Sequence, residues 1–398
     1  MLTKQSNLKY LRCLEELEVD PMKFIISLAE INKLLNKIQN IVAQKPTLPI
    51  LSNFLIEAAS DELVLTATDL TVGIRCYTEA KILEEGSTTL PAKRFAQLIR
   101  ELTTPHIEVH TNEQNITQVI AGSSRFKLHG MDKGEFPSLP ELSETTQFTL
   151  PQSDLKDMLF RTAFAVSRED NRYALTGVFL HIQNGEATFA GTDGKRLARN
   201  RLKVPLDPSW QGQYIVPLKA VEEIMKNLYE DGDATIYLMP DKIAVDANQS
   251  ILITKLLSGD YPDISRIIPE SMESHLSLHR EELMTLLKQV SLFTSDVNQS
   301  VRFTFANGEL KLSANAMEVG EGNVSMPVNY NGEKLDIAFN PNFFLDILRH
   351  TKEETLDMGI IDAFNPVVIR EEENGDESKK VANDSLCLIM PMRLDQPV

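Results

Sequence analysis

Only three of the 398 residues are cysteine, Cys13, Cys76 and Cys387, and they share no metal-like spacing. So sparse and odd a set excludes a disulfide framework and fits free thiols in a reducing cytoplasm. Long apolar runs are missing as well, and none approaches the roughly 18 residues of a membrane helix. The opening MLTKQSNLKYLRCLEELEVDPMKF has neither the uninterrupted apolar core nor the small-residue cleavage site of a signal peptide. Positive charge is scarce: 40 Lys and Arg stand against 57 Asp and Glu, for a net charge of −17. Taken alone, that balance argues against nucleic acid and for a self-repelling surface. Catalytic signatures are lacking too. There is no Gly-x-Ser-x-Gly, and Gly191-Thr-Asp-Gly194 leaves too few residues between its glycines for a phosphate loop. Histidines lie scattered at 106, 110, 129, 181, 275, 279 and 350; His275 and His279 are four apart but lack the intervening acid of a zinc helix. The sequence therefore predicts no enzyme, no catalytic residue, no metal and no cofactor.

What is present is said three times. LPAKRFAQLIREL around Pro91, VPLKAVEEIMKNL around Pro217 and NPNFFLDILRHTK around Pro341 are spaced by 126 and 124 residues. Asp69 in TATDL recurs as Asp193 in AGTDG, and Asn315 in SANAM follows. Repeated aspartates after a strand read as turn formers rather than paired acids. Pro137 in SRFKLHGMDKGEFPSLP recurs as Pro262 in ILITKLLSGDYPDISRIIP, and SLCLIMPMRL carries a third copy into the C-terminus. A period this long implies whole domains rather than solenoid repeats. The expected division is an extension at 1–21, domains at 22–147, 148–275 and 276–394, and a tail at 395–398.

Within one repeat, Ser27 and Glu30 form a capping box. Leu28, Ile31, Leu34, Leu35, Ile38 and Val42 then recur at helical spacing. A second helix starts at each repeat's proline, with Phe95, Leu98, Ile99 and Leu102 matched by Val221, Ile224, Met225 and Leu228. Alternating segments such as ELVLTAT, IEVHT, KIAVDA and ELKLSAN read as half-buried antiparallel strands, about eight per repeat. The fold class is α+β, with two helices per repeat lying on antiparallel sheets. Six helix windows (28–45, 91–102, 151–168, 217–228, 277–290 and 341–352) hold 15 Lys and Arg against 9 Asp and Glu. A mildly basic helix surface in an acidic chain fits a polyanion approached by helices and repelled elsewhere. The run REEENGDESKK at 370–380 reads as an exposed charged hairpin loop.

With KPTLPIL at 45–51, RYALTG at 172–177, TDGKRLA at 192–198, YPDISRIIP at 261–269 and MPMRL at 390–394, the chain resembles the bacterial DNA polymerase III β subunit, the sliding clamp, over residues 22–394. That resemblance implies three clamp domains per chain and a head-to-tail homodimeric ring around duplex DNA. It implies a cytoplasmic, non-catalytic processivity factor. The implied partners are the DNA polymerase III catalytic subunit, the clamp loader, other polymerases, and mismatch-repair or replication-initiation factors. For DNA it points to Lys45, Arg172 and Tyr173, with Glu169 and Ala174 departing from the family pattern. For the subunit contact it points to Phe126 and Leu128 on one side and Leu292 and Phe293 on the other.

The implied partner-peptide pocket comprises Leu175, Thr192, Gly194, Lys195, Arg196, Leu197, Pro262, Arg266, Ile267, Tyr330, Phe364, Pro366, Leu388, Ile389, Met390, Pro391, Met392, Arg393 and Leu394. Leu, Ile, Met and Pro suit an apolar trough for a peptide's hydrophobic anchors, and arginines at its rim suit carbonyls or a carboxylate. Lys195 stands where histidine is frequent, and Asn298 where a bulky apolar residue can occur.

Overall fold

The computed structural model describes residues 21–43, 46–142, 145–295, 299–371 and 384–393. Lys45, Asn298, Leu394, residues 1–20 and all but the first two residues of the charged run at 370–380 lie outside the described residues. Six helices are described: α1 (Leu28–Ile38), α2 (Ala92–Glu101), α3 (Gln152–Ala163), α4 (Leu218–Asn227), α5 (Arg280–Ser291) and α6 (Pro341–His350). The Ser27 side chain accepts the Glu30 amide at 3.1 Å, as a capping box requires. Helix α1 ends earlier than its apolar spacing predicts. After Gln39 the chain turns, and Ile41, not Val42, is fully buried. The prolines sit at or just before each second helix: Pro91 is the N-cap of α2, Pro217 precedes α4, and Pro341 opens α6.

The chain divides into two compact units, and the middle repeat is shared between them. Of the described residues, one unit contains those within 21–152 and 222–255. Its eight-stranded sheet runs in the order 146–151, 233–238, 242–247, 250–255, 72–79, 62–68, 53–59, 86–91. A five-stranded sheet, 81–84, 22–27, 106–111, 116–121, 124–129, completes it. Ile31, Leu34, Leu35 and Ile38 of α1 and Phe95 and Ile99 of α2 form its buried helix faces. Each such side chain contributes about 1.5–3 kcal/mol on burial.

The other unit contains the described residues within 153–221 and 256–393. Its eight-stranded sheet has the order 212–217, 177–183, 186–192, 196–203, 386–389, 367–371, 355–360, 274–279. Its four-stranded sheet runs 320–327, 309–316, 301–306, 335–339. Phe303, Phe339 and Phe344 pack mutually at ring distances of 4.9–5.2 Å under α6. Gly191 lets α3 come close to the sheet, since a Cβ there would lie 2.2 Å from the Thr162 carbonyl oxygen.

Both eight-stranded sheets thus cross a repeat boundary. In the first unit Ser250–Thr254 pairs with Cys76–Val72 over five positions. In the second, Arg196–Arg199 pairs with Ile389–Leu386 over four.

Candidate functional site

The second of these seams carries most of the residues singled out from the sequence. It starts from the turn at Thr192–Leu197. The Asp193 carboxylate accepts the Lys195 and Arg196 amides at 2.9 and 3.0 Å, and the Thr192 hydroxyl donates to the Arg196 carbonyl at 2.5 Å. Gly194 takes φ +84° here, a left-handed conformation that suits glycine. The expected turn-forming role of the repeated aspartate holds at both copies, because Asp69 accepts the Thr71 and Val72 amides at 2.9 and 2.7 Å.

From this turn the chain enters the ladder. Leu197 pairs with Leu388, Arg196 with Ile389, and Ile389 in turn with Val367. Beyond that row the backbones of Lys195, Met390 and Pro366 emerge at the same sheet end, and the Met390 amide donates to the Lys195 carbonyl at 2.9 Å. Pro391 carries the chain across to the four-stranded sheet, where the Met392 amide donates to the Ala338 carbonyl at 2.7 Å. Leu197 and Leu388 join Phe179, Ile215 and Val368 in one buried cluster. Ala174, Tyr261, Ile264 and Ile268 pack against it. Tyr261 stacks on Phe179 at 4.4 Å, and its burial pushes the phenol pKa upward.

Large apolar side chains stand exposed in the segments around that end. Phe364 is 85% exposed, Ile267 46% and Met390 41%. Phe364 is presented by a turn in which Asp362 accepts its amide at 2.7 Å and that of Asn365 at 2.8 Å; these bonds hold the Asp362 carboxyl below its usual pKa. Arg266 is exposed beside Asp263, to which its Nε donates at 3.0 Å. Pro262, Lys195 and Arg393 are exposed, while Leu175, Thr192 and Pro366 are buried.

Two of the anticipated residues sit differently. Tyr330 is buried in the core of the last repeat, tilted against Phe305, with its hydroxyl donating to the Glu333 carbonyl at 2.7 Å. Only 6% of Tyr330 is exposed. Arg196 is not a free rim cation but the anchor of the seam, its side chain only 11% exposed. Its guanidinium donates to Asp193 at 3.1 Å, Asp346 at 2.7 Å and the Phe164 carbonyl at 2.9 Å. It also lies 4.8 Å over the Phe343 ring. Phe343 was missed in the sequence. Its signal is modest: it falls just outside the stripe Phe344, Leu345, Ile347, Leu348 that α6 buries.

A second set of contacts joins α3 to α6 in the same unit. The imidazole of His350 lies 4.4 Å from both Phe160 and Phe164, stacked on the latter and tilted to the former, and meets the Asp346 carbonyl at 2.7 Å. Burial lowers the His350 pKa. Arg161 is buried between Asp157 and Glu371, at 2.7 Å from each, and Lys352 reaches Asp157 at 2.7 Å. Arg161 therefore does not belong to the basic helix surface inferred from the sequence. Lys33, Lys93, Arg94, Arg100 and Lys288 are exposed and fit it.

Of the DNA candidates, Tyr173 is 55% exposed in the turn Asp170–Thr176. Arg172 bends back to donate to the Asp193 carbonyl at 3.2 Å, over Gly194. The subunit-contact candidates lie at sheet edges. Strand 124–129 pairs on one side only, with Phe126 partly exposed and Leu128 buried. Strand 320–327 is likewise an edge. Phe293 covers its glycines, since a Cβ on Gly322 would lie 2.4 Å from that ring, and Leu292 is 73% exposed. Among the described residues no cluster of three metal-ligating side chains occurs, and no helix is long and apolar enough to cross a membrane.

Residues 22–140, 149–263 and 265–393 match, in order, the N-terminal, central and C-terminal domain families of the DNA polymerase III beta subunit. The beta sliding clamp of Chlamydia pneumoniae is 52% identical over 373 residues, covering 94% of this chain and 99% of that protein. That of Pseudomonas aeruginosa is 31% identical over 377 residues, 94% of this chain and 100% of its own. Among solved structures, the Bacillus subtilis DNA polymerase sliding clamp superposes with a TM-score of 0.88 at 25% identity, covering 94% of this chain and all of that one. A Pseudomonas aeruginosa sliding clamp bound to griselimycin gives 0.87 at 30% identity, with the same coverage. With three successive domains matched and relatives this similar along almost their whole length, the chain belongs to the DNA polymerase III beta subunit family, the beta sliding clamps.

Proposed function

We propose that two copies of this chain close head to tail into a ring around duplex DNA, and that each copy docks short peptides of replication and repair proteins at the seam beside Met390. The division into domains at 22–147, 148–275 and 276–394 belongs to this reading, as does a non-catalytic role in the cytoplasm. Two seams within the chain are continued sheets, and the open edges 124–129 and 320–327 supply the halves of a third between copies. Tyr173, Arg172 and the exposed helix cations meet phosphates without reading bases, which permits sliding. The expected partners are the polymerase III catalytic subunit, the clamp loader, other polymerases, and mismatch-repair or initiation factors.

The observation that carries the docking half is the exposure of Phe364, Ile267 and Met390 around one sheet end over a buried apolar floor. An extended peptide with a hydrophobic pair suits it, at an affinity on the order of micromolar, or about −8 kcal/mol. Calorimetry with such a peptide, taken from a polymerase tail, tests the assignment. Phe364→Ala with Met390→Ala should weaken binding by about 2 kcal/mol or more. Equal affinity for variant and parent would remove the site. The ring half is tested by retention on circular against linear DNA and by the mass of a Leu292→Asp, Phe293→Asp variant, expected to be monomeric.

A further inference from the structure

The turn Asp170–Thr176 stands between the two sites of the proposed function. Arg172 and Tyr173 in its first part are the DNA candidates, while Ala174 and Leu175 belong to the trough. Ala174 packs against the apolar cluster beneath it, and Leu175 is only 9% exposed. That second part is pinned: the Ser167 amide donates to the Leu175 carbonyl at 2.9 Å, and the Thr176 hydroxyl donates to the Tyr173 carbonyl at 2.8 Å. Arg172 itself leaves the helical path, at φ −121° and ψ 61°. What is left to move is its exposed side chain.

That side chain is folded back over Gly194. Its guanidinium donates to the Asp193 carbonyl at 3.2 Å and lies where a Gly194 side chain would stand, 2.1 Å from the Cβ position. Among the described residues it makes no other hydrogen bond and no ion pair. The Asp193 carboxylate cannot offer one, because the Lys195 and Arg196 amides and the Arg196 guanidinium already occupy it. A lone bond to an exposed carbonyl is a weak hold, worth about three- to tenfold in an equilibrium. Gly194 is exposed backbone at the mouth of the trough, one residue before the Lys195 carbonyl that holds Met390. A peptide lying on Gly194 and a guanidinium lying on Gly194 exclude each other. So do a phosphate on Arg172 and the folded-back arrangement.

We propose that Arg172 is a latch on the peptide site and that DNA releases it, an inference that rests on the DNA and docking readings above. Without DNA the side chain covers Gly194, and a peptide must displace it. On DNA the guanidinium turns outward to a backbone phosphate, a stronger partner than a carbonyl because it carries charge, and Gly194 is left bare. Peptide and DNA favour the same outward state. Each therefore tightens the other, by a factor no larger than the latch is worth. The releasing group is a phosphodiester with no base requirement. A partner's peptide is thereby held better by a clamp on DNA than by an empty one.

The test titrates the full-length protein with a fluorescent polymerase-tail peptide, alone and with a saturating short duplex at low salt. Wild type should bind the peptide about threefold more tightly with the duplex present, and the duplex about threefold more tightly with the peptide present. Arg172→Ala should bind the peptide about threefold more tightly than wild type without DNA, and the duplex should then add nothing. Tyr173→Ala should weaken duplex binding yet keep the same gain in peptide affinity once the duplex is saturating. If Arg172→Ala binds free peptide no better than wild type, the latch is overturned, and weaker binding makes Arg172 a peptide contact instead. Wild-type peptide affinity that is indifferent to the duplex overturns the latch alone and leaves the docking reading standing. Wild type that binds no peptide at all defeats the docking reading and the latch together.

Discussion

The two seams inside the chain use one ladder geometry and different side-chain chemistries. In the first unit an ammonium meets neutral acceptors across the junction: Lys37 of the first repeat donates to the Asn248 carbonyl and, at 3.1 Å, to the Ser250 hydroxyl of the second, where Gln152 and Asn248 exchange side-chain bonds at 3.0 and 2.7 Å. Leu139 lies on Gly73, where a Cβ would come 2.4 Å from it. In the second unit the junction is ionic, built on Arg196 with Asp193 and Asp346 and on Arg161 with Asp157 and Glu371. The difference shows that a repeated backbone fixes where strands meet, not how the meeting is stabilised. It also places the exposed apolar side chains beside the ionic seam, whose partners are directional and hold the surrounding loops in one arrangement.

The sharpest way to break the comparison is Arg196→Ala. It removes the bonds to Asp193, Asp346 and the Phe164 carbonyl together, leaving Asp346 with Arg349 alone, and should cost about 3 kcal/mol. Urea unfolding measures the loss, and hydrogen exchange should show it around 386–389 but not around 250–255. The first-unit seam has its counterpart in Gln152→Ala, which loosens Asn248 beside it. That change removes both Asn248 bonds to Gln152, leaving the Asn248 side chain only the Asn227 carbonyl at 2.7 Å, and orphans the Tyr229 N–H, for about 2 kcal/mol, with exchange rising around 250–255 instead.

Smaller and of opposite sign are exchanges at the twin turns. Gly194→Ala forces a side chain into φ +84° and against Arg172, 2.1 Å away, costing about 1 kcal/mol or more. Leu70 occupies the matching position at φ +75°. Leu70→Gly should raise stability by about 0.5 kcal/mol, since the relieved strain exceeds the added chain entropy. Thermal unfolding of the pair reads both, and a loss in each would contradict the equivalence of the turns.

The smallest effect is a divergence with pH. Burial raises the Asp246 pKa to about 6 in the first unit, so folding favours its protonated form. Its contribution is full below the ordinary carboxyl range and is lost as pH rises from about 4 through about 6. His350 in the second unit has its pKa lowered, chiefly by burial. Its contribution is present above the ordinary histidine pKa and is lost as pH falls below about 6.5. Asp246→Asn should therefore flatten acid stabilisation and His350→Gln acid destabilisation, followed by melting at pH 5 and pH 7.

Much of this was legible in the residues. The capping box at Ser27, the prolines at the second helices and the turn-forming aspartates depend on neighbours within a few positions, so local sequence carries them. The sharing of the middle repeat between two sheets was not, because strand partners 174 or more residues apart, such as Thr254 with Val72 and Arg196 with Ile389, leave no periodic trace. Side-chain direction was the other blind spot. Tyr330 and Phe343 lie 13 positions apart in the same repeat, both aromatic, and only packing decides which one is buried in the core and which one lies under Arg196. Arg161 looked like one more helix cation until Glu371, from a distant strand, was seen beside it.

The C-terminal strand 386–389 is a rung of the ionic seam, and its continuation ties Met390 to Lys195 and Met392 to Ala338. Mechanically, that makes a partner bound there a load on the joint itself. A pull on Met390 is carried in shear by two ladders, four positions against 196–199 and three against 367–369, and by two flanking amide bonds. A tethered protein working against drag would thus tension the strand that holds two repeats together.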